Sequence, residues 1–223
     1  MNTCCKAVIF DLDGTLLNTI DDLANSMNYT LQKFGFPKKE VSFHASAVGN
    51  GLRIYSERCI PKDKVSDTLL DEFVPVVASH YRNNSTVKTV LYDGISDLLD
   101  FLKENNILIN ILSNKRDDFV KELAVHYFPK YNFACANGEL LNIAKKPDPE
   151  AALKIAEHCN VSPQECIFIG DSTYDILTGK NAGMMTIGVA WGYQSEDMLM
   201  EHNPDFLAHS PQDIIEYMKR IIN

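Results

Sequence analysis

The chain has 223 residues, 45% hydrophobic and 23% charged, with 21 basic against 30 acidic side chains and a net charge of −9. That is an ordinary globular composition, long enough for one substantial core carrying a smaller domain, and it excludes disordered, fibrous and mini-protein classes. The acidity gives no general positive field for nucleic acid or an anionic membrane. No window nears the ~18 uninterrupted apolar residues of a membrane span, so a small phosphate-bearing ligand held by a cation is the anionic partner still open.

In chain order, the N-terminal stretch MNTCCKAVIFDLDG turns acidic too early for a signal peptide, and a cytoplasmic location is expected. The six cysteines form no CxxC pair and no ligand spacing, so reduced, packed thiols are expected, with Cys4 and Cys5 beside the first strand. Short apolar runs at 7–10, 107–112, 166–169 and 186–190 predict buried parallel strands. Between them, Ile95, Leu98, Leu99 and Leu102 recur at helical spacing, as do Phe119, Val120, Leu123 and Tyr127. Asp148 followed by Pro149 predicts an N-cap and first helical position, and Gly183 a helix end. This alternation predicts an α/β fold with a doubly wound, Rossmann-like parallel sheet. Residues 19–85 break the rhythm, with helical patterns and no convincing buried strand between the first strand and Tyr92; they hold eight acidic and eight basic side chains, a neutral helical insert. The remaining α/β portion therefore carries the whole negative charge.

Four places after strands carry chemistry. Asp11 and Asp13 follow the first strand in DLDGT, at the edge where open α/β sheets bind ligands. Their mutual repulsion is relieved by Mg²⁺, which takes carboxylate oxygens, although an Asp-Gly turn with one solvated Asp is the bland alternative. Asp171 and Asp175, in GDSTYD, lie one helical turn apart and can reach the same crevice; a helix cap and a favourable dipole contact would also account for them. Ser113 and Asn114, in LSNK, offer polar groups at an expected helix start, suited to phosphate or to simple capping. Lys146, ahead of Pro147, projects from extended backbone and can meet phosphate oxygens; neighbouring Lys145 is not locally distinguishable from it.

DLDGT, LSN, KP and GDSTYD, in this order and after strands, resemble the four motifs of the haloacid dehalogenase (HAD) superfamily of phosphohydrolases over essentially the whole chain. VGNG at 48–51, Glu57 and Arg58, KPDPE, GKNAGM and GVAWGY are similar to the phosphoglycolate phosphatases and their pyrophosphatase relatives within it. The resemblance implies Asp11 as the nucleophile that forms an aspartyl-phosphate and Asp13 as general acid and base. It further implies Mg²⁺ held by the side chains of Asp11 and Asp171 and the backbone carbonyl of Asp13. Ser113, Asn114 and Lys146 become phosphate ligands, with Thr15 and Asp175 in support. Residues 1–18 and 86–223 become the hydrolase core and 19–85 an inserted α-helical cap domain, with Asn50, Gly51 and Arg53 as candidate substrate contacts. LYDG and NKRDD depart from the relatives' usual Pro-Gly and second-motif residues, away from the chemistry.

The expected activity is Mg²⁺-dependent hydrolysis of a small phosphorylated, anionic metabolite, 2-phosphoglycolate first. The rivals are pyrophosphate hydrolysis, a β-phosphoglucomutase-type transfer, and a non-catalytic phosphate-binding protein. The presence of both Asp11 and Asp13 weighs against the last, since binding alone requires neither acid chemistry nor a nucleophile.

Overall fold

The computed structural model describes residues 5–222. In chain order the elements are β1 (Ala7–Phe10), β2 (Leu17–Asn18), α1 (Ile20–Lys33), α2 (Val41–Ala47), α3 (Leu52–Cys59) and α4 (Asp67–Asn84). There follow β3 (Val90–Leu91), α5 (Ile95–Glu104), β4 (Leu108–Arg116), α6 (Asp117–Tyr127), β5 (Phe133–Glu139) and α7 (Glu150–His158). The chain ends with β6 (Cys166–Gly170), α8 (Thr173–Asn181), β7 (Met185–Val189), α9 (Glu196–Met200), β8 (Phe206–Ala208) and α10 (Pro211–Ile221).

The expected doubly wound α/β core is present as a six-stranded sheet of order β5-β4-β1-β6-β7-β8. Every neighbouring pair in it is parallel. All four residues of β1 are buried because helices cover both faces. Val8 and Phe10 join a cluster with Leu98, Leu102, Val120 and Ile214, while Ala7 and Ile9 point the other way, towards Ala152, Ile155 and Phe168. From β1 the chain builds outward through β4 and β5, then crosses back to β6 on the other side. The crevice at the carboxyl ends of β4, β1 and β6 is therefore the topological switch point, where such sheets bind ligands.

Helices α1–α4 form a lobe with its own core, including Leu23, Met27, Tyr55, Phe73 and Tyr81, joined by Phe119 from α6. The chain enters and leaves this lobe side by side, because β2 pairs antiparallel with β3. Buried Asp22 clasps the exit, accepting from the backbone N–H of Lys88 at 2.9 Å and of Thr89 at 2.8 Å, and from Thr89 Oγ1 at 2.9 Å.

Three expectations need correction. Ser113 and Asn114 are not at a helix start: β4 runs on to Arg116, and α6 begins only at Asp117. Pro149 rather than Asp148 occupies the capping position of α7, although Asp148 Oδ1 still accepts from Glu150 N at 2.9 Å. Strands β2, β3, β5 and β8 lie outside the expected set, because β5 is a partly exposed FACANGE run and β2, β3 and β8 have two or three residues each, too short to show an apolar block. The thiols of Cys59, Cys135, Cys159 and Cys166 are in no disulfide, the Cys5 thiol donates to Ala7 O at 3.5 Å, and Cys4 lies outside the described residues. Among the described residues no helix is long and apolar enough to cross a membrane.

Candidate active site

Asp11 is the first residue past β1, and its N–H donates to Ile169 O of β6 at 2.9 Å, which fixes it at the switch point. Asp171 is the first residue past β6, and it is 2% exposed. Its Oδ1 accepts from Thr15 Oγ1 at 3.1 Å and its Oδ2 from Tyr193 N at 2.8 Å. Gly14, at φ +84°, passes so close that a Cβ there would collide with the Asp171 carboxylate.

Asp175, on the first turn of α8, accepts at Oδ2 from Ser172 N at 3.0 Å and Ser172 Oγ at 2.6 Å, so it caps its own helix. Its Oδ1 accepts from Lys146 Nζ at 2.6 Å. The capping and site readings of this acid both hold. The same ammonium lies 2.9 Å from Asp11 Oδ1, but off the hydrogen-bonding direction, and that oxygen is buried with no hydrogen-bond donor. Lys145 is distinguished from Lys146 after all: it pairs with Glu139 at 2.8 Å in a half-buried contact.

Asn114 ties three segments together. Its Nδ2 donates to Gly49 O and Lys146 O, each at 3.1 Å, and its Oδ1 accepts from Lys146 N at 2.9 Å. Its amide is thereby committed to the scaffold around Lys146. Ser113, 5% exposed, remains in the cavity wall. Asp13 Oδ1 accepts from Thr19 Oγ1 at 2.5 Å, and its two oxygens accept from Lys115 Nζ at 2.9 and 3.1 Å.

Burial dominates the electrostatics. It pushes the Asp11 carboxyl up to about 6; the Lys146 charge opposes this, and the negative charges of Asp175 and Asp13 add to it. Asp171 is raised as well, by burial first and then by Asp175 and Asp11. For Lys146, burial alone favours the neutral amine, yet Asp11 and Asp175 overcome it and hold the ammonium protonated.

Oxygens of Asp11, Asp171 and Asp175 lie within 4.8 Å of one another. Asp175 is already satisfied by Lys146 and Ser172, whereas Asp11 Oδ1 has no hydrogen-bond donor. Four carboxylates face two ammonium groups here, so the formal imbalance is that of one divalent cation. The donor set is all oxygen, which suits a hard divalent ion. The residues therefore fit a divalent metal, which Asp11 and Asp171 would be the side chains free to hold.

Asp11, Asp13 and Asp171 floor a cavity of about 70 Å³, with Lys146 and Asp175 packed behind them and outside its lining. Its roof includes Leu23, Val48, Gly49, Gly51, Leu52, Tyr55 and Tyr81 from the helical lobe, and Lys115, Arg116, Phe119 and Tyr193 stand in the wall. The structure brings Gly51 to this wall but not Arg53. That guanidinium turns outward to Asp67 and Asp71, 2.7 Å from each. Asn50 lies between two lining glycines and is not itself part of the lining. Sequence reasoning missed Lys115. The available signal was its spacing two residues after Ser113, which puts both on one face of a strand, and the expectation of a helix start concealed it.

The parallel sheet places at its switch point an acidic, lysine-bearing crevice whose carboxylates could hold a divalent cation. The family profile for haloacid dehalogenase-like hydrolases matches residues 8–189. Phosphoglycolate phosphatase of Aquifex aeolicus is 31% identical over 214 residues, covering 96% of each chain. That of Vibrio parahaemolyticus serotype O3:K6 is 30% identical over 217 residues, covering 95% of each. Among solved structures, one from Lactobacillus delbrueckii subsp. bulgaricus superposes with a TM-score of 0.88 at 28% identity, covering 98% of this chain and 99% of that one. The chain belongs to the haloacid dehalogenase-like hydrolase family, and within it to the phosphatases.

Proposed function

We propose that the protein is a cytoplasmic, Mg²⁺-dependent phosphomonoesterase that hydrolyses 2-phosphoglycolate through an aspartyl-phosphate on Asp11. The observation that carries this reading is Asp11 itself: a buried carboxylate at the end of the central strand, beside Lys146 and Asp171, with one oxygen lacking a hydrogen-bond donor. Above pH about 6 it is the carboxylate, the form a nucleophile requires. The names of the relatives support the choice of substrate.

Asp11 attacks phosphorus, the bond from phosphorus to the ester oxygen breaks, and Asp13 gives its proton to the leaving alkoxide. Water then attacks the aspartyl-phosphate, Asp13 takes the proton, and phosphate departs with Asp11 restored. Thr19 and Lys115 hold Asp13 in orientation, while Lys146 and Ser113 meet phosphoryl oxygens. The side chains of Asp11 and Asp171 and the backbone carbonyl of Asp13 would hold Mg²⁺, whose charge would neutralise the transferring group. Residues 19–85 serve as the cap over the hydrolase core of 1–18 and 86–223, excluding water from the intermediate.

The roof argues against a mutase. The lobe residues that line the cavity include no cation, so the lobe has nothing to hold the second phosphate of a sugar bisphosphate. The test is phosphate release from 2-phosphoglycolate, pyrophosphate and sugar phosphates, with Mg²⁺ and with EDTA. Mg²⁺-dependent release led by 2-phosphoglycolate and abolished in Asp11→Asn is expected. Release that survives Asp11→Asn removes the nucleophile assignment, and pyrophosphate in first place removes the substrate.

A further inference from the structure

We infer that Lys115, assisted by the Tyr81 hydroxyl, is the group that selects for a second anionic group on the substrate, a carboxylate one carbon from the ester oxygen. The inference rests on the phosphatase reading above.

A substrate with a carboxylate beside its phosphoester brings a second negative charge into the cavity, and a cation must meet it there. The helical lobe offers none, since its lining residues are apolar, small or hydroxyl-bearing and Arg53 is engaged outside. Four cations remain near the cavity, and three are committed elsewhere. Lys145, beside Gly51, pairs with Glu139 at 2.8 Å. Lys146 is held between Asp11 and Asp175 at the phosphoryl end, 2.9 and 2.6 Å from them. Arg116 is clamped by Asp118, through Nε at 3.1 Å and Nη2 at 2.8 Å, with its guanidinium over the Phe119 ring.

Lys115 differs from all three. Its ammonium spends two donors on the two oxygens of Asp13, at 2.9 and 3.1 Å, and an ammonium has three. It lies 4.5 Å over the Tyr81 ring, in the cavity wall. Tyr81, in the roof of the same cavity and 1% exposed, carries a buried hydroxyl with no hydrogen-bond partner. A buried hydroxyl without a partner is costly unless a ligand completes it. The position of the pair sets the reach: Asp13 serves the leaving oxygen, so the ammonium bonded to it stands at that end of the substrate. A carboxylate one carbon further on comes within its range.

The experiment compares kcat/KM for 2-phosphoglycolate with that for ethyl phosphate, the same ester with a methyl in place of the carboxylate, in the wild type and in Lys115→Met, Lys115→Arg and Tyr81→Phe. The wild type is expected to prefer 2-phosphoglycolate. Lys115→Met is expected to cut that preference by about tenfold or more, the scale of one charged hydrogen bond, mainly through KM. Lys115→Arg keeps part of the preference, and Tyr81→Phe, which removes one oxygen and leaves the ring, loses a few-fold. Circular dichroism and thermal unfolding report folding in each variant, and the ratio between the two esters separates the reading of the carboxylate from any effect through Asp13, which acts on both esters alike. A preference unchanged within about twofold in Lys115→Met, or in Tyr81→Phe should the first not fold, overturns the inference and leaves Lys115 as a support for Asp13 alone. Equal wild-type use of the two esters also overturns it with the phosphatase intact, whereas release from neither removes the phosphatase reading itself.

Discussion

Lys146 and Asp175 form a 2.6 Å ion pair with side chains 2% and 1% exposed, so two buried charges of the site neutralise one another. Breaking such a pair leaves a buried charge without a partner, which costs about 3–5 kcal/mol. Lys146→Met should lower stability by that order in urea unfolding with EDTA, and should lower phosphate release on the order of a thousandfold. A stable variant with turnover near wild type contradicts the arrangement.

Asp11→Asn should separate function from stability. Turnover should fall by about 10⁴-fold or more, since the nucleophile is gone. Without a divalent ion at neutral pH, the variant should be more stable than the wild type by roughly 1–3 kcal/mol, because it removes a carboxylate whose ionisation the fold opposes. Parallel rate and urea measurements in EDTA check both parts.

Stabilisation by Mg²⁺ should depend on pH with a definite sign. The folded-state value for Asp11, about 6, exceeds its ordinary 3.8, so the group's contribution to stability is full below about 4 and lost as pH rises through about 6. Asp171 is displaced in the same direction. A cation bound to the ionised pair offsets that loss. The rise in Tm on adding Mg²⁺ should be small near pH 5 and larger near pH 7.5; a rise that shrinks with pH would rule out Asp11 and Asp171 as ligands.

His44, buried in the helical lobe, should act oppositely. Its Nδ1 lies 2.7 Å from Tyr55 Oη, its Nε2 has no hydrogen-bond partner, and burial pulls its value down from 6.5 to about 4. The stability this neutral ring contributes is full above about 6.5 and lost as pH falls through about 4, on the order of 2 kcal/mol. Urea unfolding of His44→Gln should vary less over that window than the wild type; parallel profiles would remove His44 as the titrating group.

Arg53→Ala should leave kcat/KM for 2-phosphoglycolate within about twofold of wild type, since exposed pairs contribute little and this one faces away from the cavity. A large rise in KM would return Arg53 to the substrate.

The acidic residues were legible in the sequence because each stands just beyond a short apolar run, and a parallel strand buried on both faces leaves that contrast in the sequence. Ser113 and Lys115 were less legible. The polar stretch SNKR resembles a turn, but it continues β4 past the apolar block, where the register with β5 shifts between Leu112 and Arg116. The direction of Arg53 was not legible at all. It follows Leu52 by one helical step of about 100°, so Leu52 and Tyr55 line the cavity while Arg53 meets α4. Only the packing of α3 against α4 decides which face turns inward, and no local pattern encodes it.

The pairing of β2 with β3, clasped by Asp22, sets the point at which a long excursion of chain leaves the sheet and rejoins it. The frame that holds the carboxylates therefore registers the distance between the two ends of the excursion, and hardly registers its length, because closure entropy grows only logarithmically with chain length. The lobe is thus anchored at one fixed base, and its inner face reaches the sheet at two further points, where Asn114 donates to Gly49 O and where the Lys115 ammonium lies over the Tyr81 ring.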